Sequence, residues 1–178
     1  AFPSLTVLAG GPALVAQFYT PLATNDAVTV GDAVNAARLL IGADNGVYES
    51  LDSGNTITLI TPVSPVVRVN AFRGDPIVYG VPGNPGFILL GAGTGVFLRT
   101  AASGAPAQVS TLPATVADVA VDRDAPARLF AMTNSAVFFS TDSGATIPAV
   151  TGNLISAFNP GTLRTMAFIP SATDAIVV

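Results

Sequence analysis

The eight residues Ser50-Leu51-Asp52-Ser53-Gly54-Asn55-Thr56-Ile57 return ninety residues later as Ser140-Thr141-Asp142-Ser143-Gly144-Ala145-Thr146-Ile147. A phrase that recurs this closely within 178 residues marks an internal repeat, and a repeat restricts the fold to an array of one supersecondary unit. Each copy has an Asp two residues before a Gly and a Thr two residues after it. That is turn chemistry: a short carboxylate that bonds its own backbone, a glycine free to take positive φ, and β-branched residues that enter a strand.

The repeat extends upstream. Aligned on the turn glycines, Arg38-Leu39-Leu40-Ile41 falls on Arg128-Leu129-Phe130-Ala131, and Asp32 falls on Asp122. Alone, Asp32 to Ile41 reads as a helix capped by Asp32 and stopped by Gly42. Pro126, two residues before Arg128, opposes a helix in the second copy, so both segments are predicted as strand, turn and strand. A third copy is looser: Phe87 to Phe97 matches Arg38 to Tyr48 in pattern, but its turn has decayed to Thr100-Ala101-Ala102-Ser103-Gly104, with one extra residue and no Asp. The anchors Gly46, Gly95 and Ala136 lie 49 and 41 residues apart, which brackets the ~40–50 residue period of propeller blades. A Gly/Pro-rich insert, Arg73 to Gly86, accounts for the longer interval. Arg68-Val69-Asn70-Ala71-Phe72 is echoed by Arg164-Thr165-Met166-Ala167-Phe168, so a fourth unit starts near Leu163 and ends in a strand from Ala175 to Val178.

At the other end, Leu5 to Ala9 and Ala13 to Tyr19 flank Gly10-Gly11-Pro12 and read as a hairpin. Pro21 to Asp26 then reads as a polar turn before a strand from Ala27 to Gly31. The expected fold is all-β, a β-propeller of about four blades in a single domain over 1–178. The blades span approximately 27–63, 66–113, 116–151 and 163–178, the last completed by the hairpin 2–20 so that its open sheet edge is covered. The alternative is a part of a larger propeller, with further blades from another chain or a second copy. The chain begins without Met and without the basic start of a secretory signal, so its N-terminus reads as a processed end or a cut from something longer.

The repeated phrase resembles Ser/Thr-x-Asp-x-Gly-x-Thr-Trp, the Asp-box or bacterial neuraminidase repeat of sialidase-like, sortilin-like, xyloglucan-degrading and photosystem assembly-factor propellers. Ile57 and Ile147 stand where that family has Trp. Gly42 to Tyr48 also resembles the turn and third strand that precede the box. The resemblance implies a hairpin between the two outer strands of a blade. It makes Ser50, Asp52, Gly54 and Thr56, with Ser140, Asp142, Gly144 and Thr146, structural turn residues, and it implies an extracytoplasmic compartment, periplasmic or secreted.

Composition bounds the function. Only 10% of residues are charged and there is no Lys, against about 25% charged in an average soluble protein. A surface so thinly charged is expected to lie against a partner; a source genome rich in Ala, Gly, Val and Pro would give the same bias. The net charge of −4 argues against nucleic acid, which calls for a basic stripe. With no Cys and no His, disulfides, thiolate zinc sites and the usual general base are excluded. No apolar run approaches the ~20 residues of a membrane helix.

The sharper motifs weaken on inspection. Gly91-Ala92-Gly93-Thr94-Gly95 has its third glycine one place early for a dinucleotide loop and coincides with the hairpin turn of the repeat. Arg73-Gly74-Asp75 spells an adhesion tripeptide that chance explains. Asp118, Asp122 and Asp124 near Arg123 and Arg128 lack the spacing of a calcium loop and read as a salt-bridged turn. Glycoside hydrolysis needs two carboxylates flanking the scissile bond, and likeness to sialidases implies an Arg cluster with a Tyr and Glu pair. The only Glu, Glu49, lies within the strand before the turn and the seven Arg are scattered by repeat position, so no substrate clamp is assembled. The expected function is therefore a non-catalytic protein-interaction or structural scaffold propeller, an accessory subunit of an envelope or membrane-associated complex. It would have no catalytic, cofactor or metal residues, and its partners would be proteins or copies of itself, with a glycan as a further ligand class. The alternative is a carbohydrate-binding or glycoside-hydrolysing, sialidase-like propeller fragment.

Overall fold

The computed structural model describes residues 6–7, 22–25, 38–43, 45–62, 76–157, 162–169 and 175–177. The described strands build four sheets. The first holds β1 (Thr6–Val7), β2 (Leu22–Asn25), β3 (Arg38–Ala43), β4 (Gly46–Ser50) and β5 (Thr56–Thr61) in the order β1-β5-β4-β3-β2. The second is an antiparallel meander of β6 (Ile77–Val81), β7 (Asn84–Ala92), β8 (Gly95–Arg99) and β9 (Ala107–Thr111). The third joins β10 (Asp118–Val121), β11 (Leu129–Met132) and β12 (Val137–Ser140), and the fourth pairs β13 (Ala167–Ile169) with β14 (Ala175–Val177). One helical turn, α1 (Leu154–Ala157), lies between the last two sheets in sequence.

Equivalent registers show that the sheets repeat one unit. The central hairpin closes on Ala43 opposite Gly46 in the first sheet and on Ala92 opposite Gly95 in the second. In the third, Met132 faces Val137 and the turn is closed by Thr133 N donating to Ala136 O. There the Thr133 hydroxyl accepts from the backbone of Ser135 and Ala136, a side chain holding a turn where the other two copies use glycine. A register shift recurs at Val47/Tyr48 and at Val96/Phe97, the same place in the repeat. The third sheet has no regular outer strand; residues 148–151 follow β12 through a bridge from Phe138 to Ala149 and through Val150 N donating to Val137 O.

Three expectations from the sequence are corrected. Pro21 to Asp26 is not simply a polar turn, because Leu22–Asn25 is a strand paired with β3, so the first sheet begins before residue 27. Arg73 to Gly86 is not a loop insert: Ile77–Val81 forms the first strand of the second sheet, and the Pro82-Gly83 pair is the tight turn into β7. The Gly and Pro that looked loop-like serve that turn, where Gly83 has φ 75°. Residues 73–75 lie outside the described residues. Third, Thr6 and Val7 run parallel to β5, opposite Thr56 and Ile57, rather than beside β13 and β14. The rest of the expected hairpin over 2–20, the strand 27–31, Asp32 and residues 68–72 lie outside the described residues.

The sheets stack face against face. Leu40 and Val47 of the first meet Ile77, Tyr79, Ile88, Leu90 and Phe97 of the second. Phe87, Leu89, Val96 and Leu98, on the other face of the second, meet Val119, Val121, Leu129 and Phe138 of the third. Phe130 and Met132 then pack against Phe168 and Ile176 of the fourth, with Phe130 stacked on Phe139 at 4.4 Å. Sheets covered on both faces read as near-continuous apolar runs, which is why every residue of β10 and β11 is buried. Each large side chain so enclosed contributes about 1.5–3 kcal/mol. One edge strand of each sheet lies against that of the next, β2 against β6, β6 against β10 and β10 against β13. They form an inner row from which the sheets fan out.

Candidate functional site

The two repeated turns have nearly identical bonding. In the first, Ser50 Oγ donates to Asp52 Oδ1 at 2.9 Å and accepts from Gly54 N at 2.8 Å, while Thr56 gives its N–H to Oδ1 at 2.8 Å and its hydroxyl to Oδ2 at 2.7 Å. In the second, the corresponding bonds of Ser140, Asp142, Gly144 and Thr146 measure 2.7, 2.8, 2.9 and 2.7 Å. Both oxygens of each carboxylate are occupied. Two successive residues take positive φ, Ser53 and Gly54 at 61° and 87°, Ser143 and Gly144 at 59° and 85°. The serine φ is uncommon for a side-chain-bearing residue, and the carboxylate bonds on either side hold it.

Those bonds favour the ionised carboxyl. The backbone and hydroxyl of Thr56 hold Asp52 below the usual carboxylate range, and those of Thr146, the hydroxyl foremost, hold Asp142 down to about 2. An acid so depressed remains an anion at any working pH and does not serve as a proton donor. Ile57 is fully buried against Tyr48 and Ala43, and Ile147 packs onto the core between the second and third sheets. The two therefore fill, as aliphatics, the space behind the turn.

In the second sheet the serine position of the turn is taken by Arg99, because Ser50, Arg99 and Ser140 all stand four residues after the hairpin anchor. Arg99 is 3% exposed. Its Nη1 donates to the carbonyl of Gly104 at 2.8 Å and its Nε to that of Gly86 at 2.7 Å, so a guanidinium fastens the turn that has no Asp. The same guanidinium crosses to the first sheet and grips Glu49, with Nη2 to Oε1 at 2.5 Å and Nη1 to Oε2 at 3.0 Å. Tyr79, 2% exposed, adds its hydroxyl to Glu49 Oε1 at 2.6 Å. Burial, and then the Glu49 carboxylate, push the Tyr79 phenol well above its ordinary value.

Sequence reasoning singled out Glu49 and missed Arg99 and Tyr79 as its partners. The legible signal was the Arg in a serine position of the one copy whose turn had lost its Asp.

The acidic group of the third sheet is also distributed. Asp118 Oδ2 accepts from Thr165 Oγ1 at 3.0 Å and from Met166 N at 2.8 Å, which ties the third sheet to the lead-in of the fourth. Asp122 caps its own turn by accepting from the backbone of Asp124 and Ala125 and pairs with Arg128 at 3.2 Å. Among the described residues no three metal-ligating side chains converge. Gly93 and Gly95 lie on the tight turn between β7 and β8. A cavity of about 290 Å³ lies over the inner row, with Val78, Val119 and Phe168 in its wall and Arg123 and Asp124 among its polar lining. None of the described helices is long and apolar enough to cross a membrane.

The layered, mainly antiparallel sheets, each with one edge strand on the inner row, define an all-β fold of the propeller kind. No protein-family model matches the chain, and no curated protein does. Among solved structures, the chain is similar to an ancestral GH74 enzyme at 19% identity and TM-score 0.51, covering 89% of this chain and 21% of that one. It is likewise similar to the GH74 xyloglucanase from Xanthomonas campestris at 17% identity and TM-score 0.53, covering 73% and 22%. These neighbours are β-propellers, and the chain spans about a fifth of their length. What is shared at this identity is the fold.

Proposed function

We propose that the chain is an Asp-box propeller unit with a non-catalytic role, a protein-interaction or structural scaffold of an extracytoplasmic, membrane-associated assembly. The observation that carries the reading is that five of the described acids are spent on the frame. Glu49 is clasped by Arg99 and Tyr79, Asp52 and Asp142 fasten turns, Asp118 ties two sheets, and Asp122 caps a turn. Hydrolysis of a glycosidic bond needs two carboxyls about 5–9.5 Å apart facing the scissile bond. Glu49, 7% exposed, is held away from solvent. Partners fit the thin surface charge, and the turns present loops on a rigid frame.

A second reading, a carbohydrate-active propeller, draws on the likeness to GH74 enzymes. Glycan-array binding combined with hydrolysis assays on xyloglucan and sialosides separates the two. The scaffold reading expects no turnover, and turnover by the purified chain overturns it.

A further inference from the structure

The inner row carries a cavity that the frame does not use. It straddles β10, with Val78 of β6 on one side and Phe168 of β13 on the other, both only partly buried, and Val119 and Val121 in its wall. Arg123 and Asp124, both exposed, stand on the loop that leaves β10. Arg123 is engaged in an interaction of its own, whereas among the described residues the Asp124 carboxylate takes no side-chain partner. We infer that this cavity is a peptide-docking site that receives one aliphatic or aromatic side chain of a partner protein, with a Lys or Arg beside it in the partner meeting Asp124.

Size, lining and charge select this occupant. At about 290 Å³ the cavity is at the small end of the ~300–1,000 Å³ of ligand sites. It suits a single side chain better than an oligosaccharide. Apolar walls under a polar rim are the anatomy of an interface anchor point, in which a desolvated side chain supplies the energy and the rim sets orientation. Among the described residues the rim charge without a side-chain partner is that of Asp124, and the chain has net charge −4 and no Lys, so the complementary partner is basic.

The inference rests on the interaction reading above, and its test separates the two. Acetylated, amidated tetrapeptides Gly-Leu-Lys-Gly and Gly-Phe-Lys-Gly, with Gly-Ala-Lys-Gly and Gly-Leu-Glu-Gly as controls, are titrated into the whole chain and followed by NMR. The expected result is saturable shifts centred on Val78, Val119 and Phe168, with binding weakened roughly tenfold or more on replacing Leu or Phe by Ala. The Glu peptide should bind more weakly than its Lys counterpart. Asp124→Asn, on an exposed loop, should abolish the Lys preference while leaving the apolar preference, and Val78→Trp should close the cavity and remove binding. If Val78→Trp does not fold, the Asp124→Asn result decides. No saturable binding, shifts centred elsewhere, or a Lys preference that survives Asp124→Asn would overturn the cavity assignment. Shifts elsewhere leave the interaction reading standing, and turnover of a glycan removes that reading instead.

Discussion

Arg99 on β8 closes a two-point ion pair on Glu49 of β4, across the junction of the first and second sheets. Both side chains are more than nine-tenths buried. A buried pair is a weak source of net stability but costly to break from one side, because the survivor is a desolvated charge. Glu49→Leu should therefore destabilise the fold by about 3–5 kcal/mol, read as a fall in the urea midpoint. Adding Arg99→Met should recover part of that loss, because the orphaned cation goes with it. Strictly additive losses in the double variant would contradict the pairing.

Tyr79 adds the third contact to Glu49. Tyr79→Phe should cost about 1.5–3 kcal/mol, the range for a hydrogen bond to a charged group, measured by urea unfolding. The pH dependence has a definite sign. The folded pKa of Tyr79 is raised above the ordinary 10.0, so its contribution is fully present below pH 10 and declines as pH climbs beyond it. In Tyr79→Phe that part of the alkaline decline should vanish.

At the acid end the turn carboxylates act in the opposite sense. Asp142 is held at about 2 and Asp52 is also lowered, both from 3.8. Groups depressed in the folded state stabilise it above the unfolded value and lose that contribution as pH falls toward the folded one. Stability should decline from about pH 4 down to about pH 2, and Asp52→Asn with Asp142→Asn should flatten this limb. Unfolding midpoints collected against pH check it; an unchanged acid limb in the double variant would contradict the bonding described for both turns.

The serines of the two repeated turns are more deeply placed than the acids. Ser140, 2% exposed, accepts the N–H of Gly144. Ser140→Ala leaves that buried donor without its partner and should cost about 1–3 kcal/mol, read from a lowered urea midpoint with an unchanged slope. Ser140→Thr, which retains a hydroxyl, should cost less.

Gly86 is required for a different reason. A Cβ there would stand against the backbone carbonyl of Ala102, next to the bonds that join Gly86 O to Arg99 and Gly86 N to Asn84. Backbone cannot swing aside as a side chain can, so Gly86→Ala should cost about 1–3 kcal/mol of overpacking, again in the urea midpoint.

Much of the frame was legible because the repeat is local. The hairpins at Ala43/Gly46 and Ala92/Gly95 follow from aligned glycines, and the turn bonds follow from Ser, Asp and Thr at fixed offsets. The innermost strands were less legible. Leu22–Asn25 is short and polar in sequence, and Ile77–Val81 is flanked by Pro and Gly that imitate a loop. Both owe their strand state to pairing and stacking with distant residues, and a tertiary contact of that kind overrides local propensity. The clasp was hidden for the same reason, since fifty residues separate Glu49 from Arg99. The cavity over β10 is assembled from three sheets, and no local spacing announces it.

The central proposal is that Glu49, Asp52, Asp118, Asp122 and Asp142 hold the frame and do no chemistry, and Glu49, the only Glu, is its sharpest case. Release of reducing sugar from xyloglucan by the purified, folded chain tests this most directly, with Glu49→Gln as the companion variant. The account predicts no release above the blank for either protein. Turnover by the parent chain would contradict it, and loss of that turnover in a folded Glu49→Gln variant would assign the chemistry to Glu49.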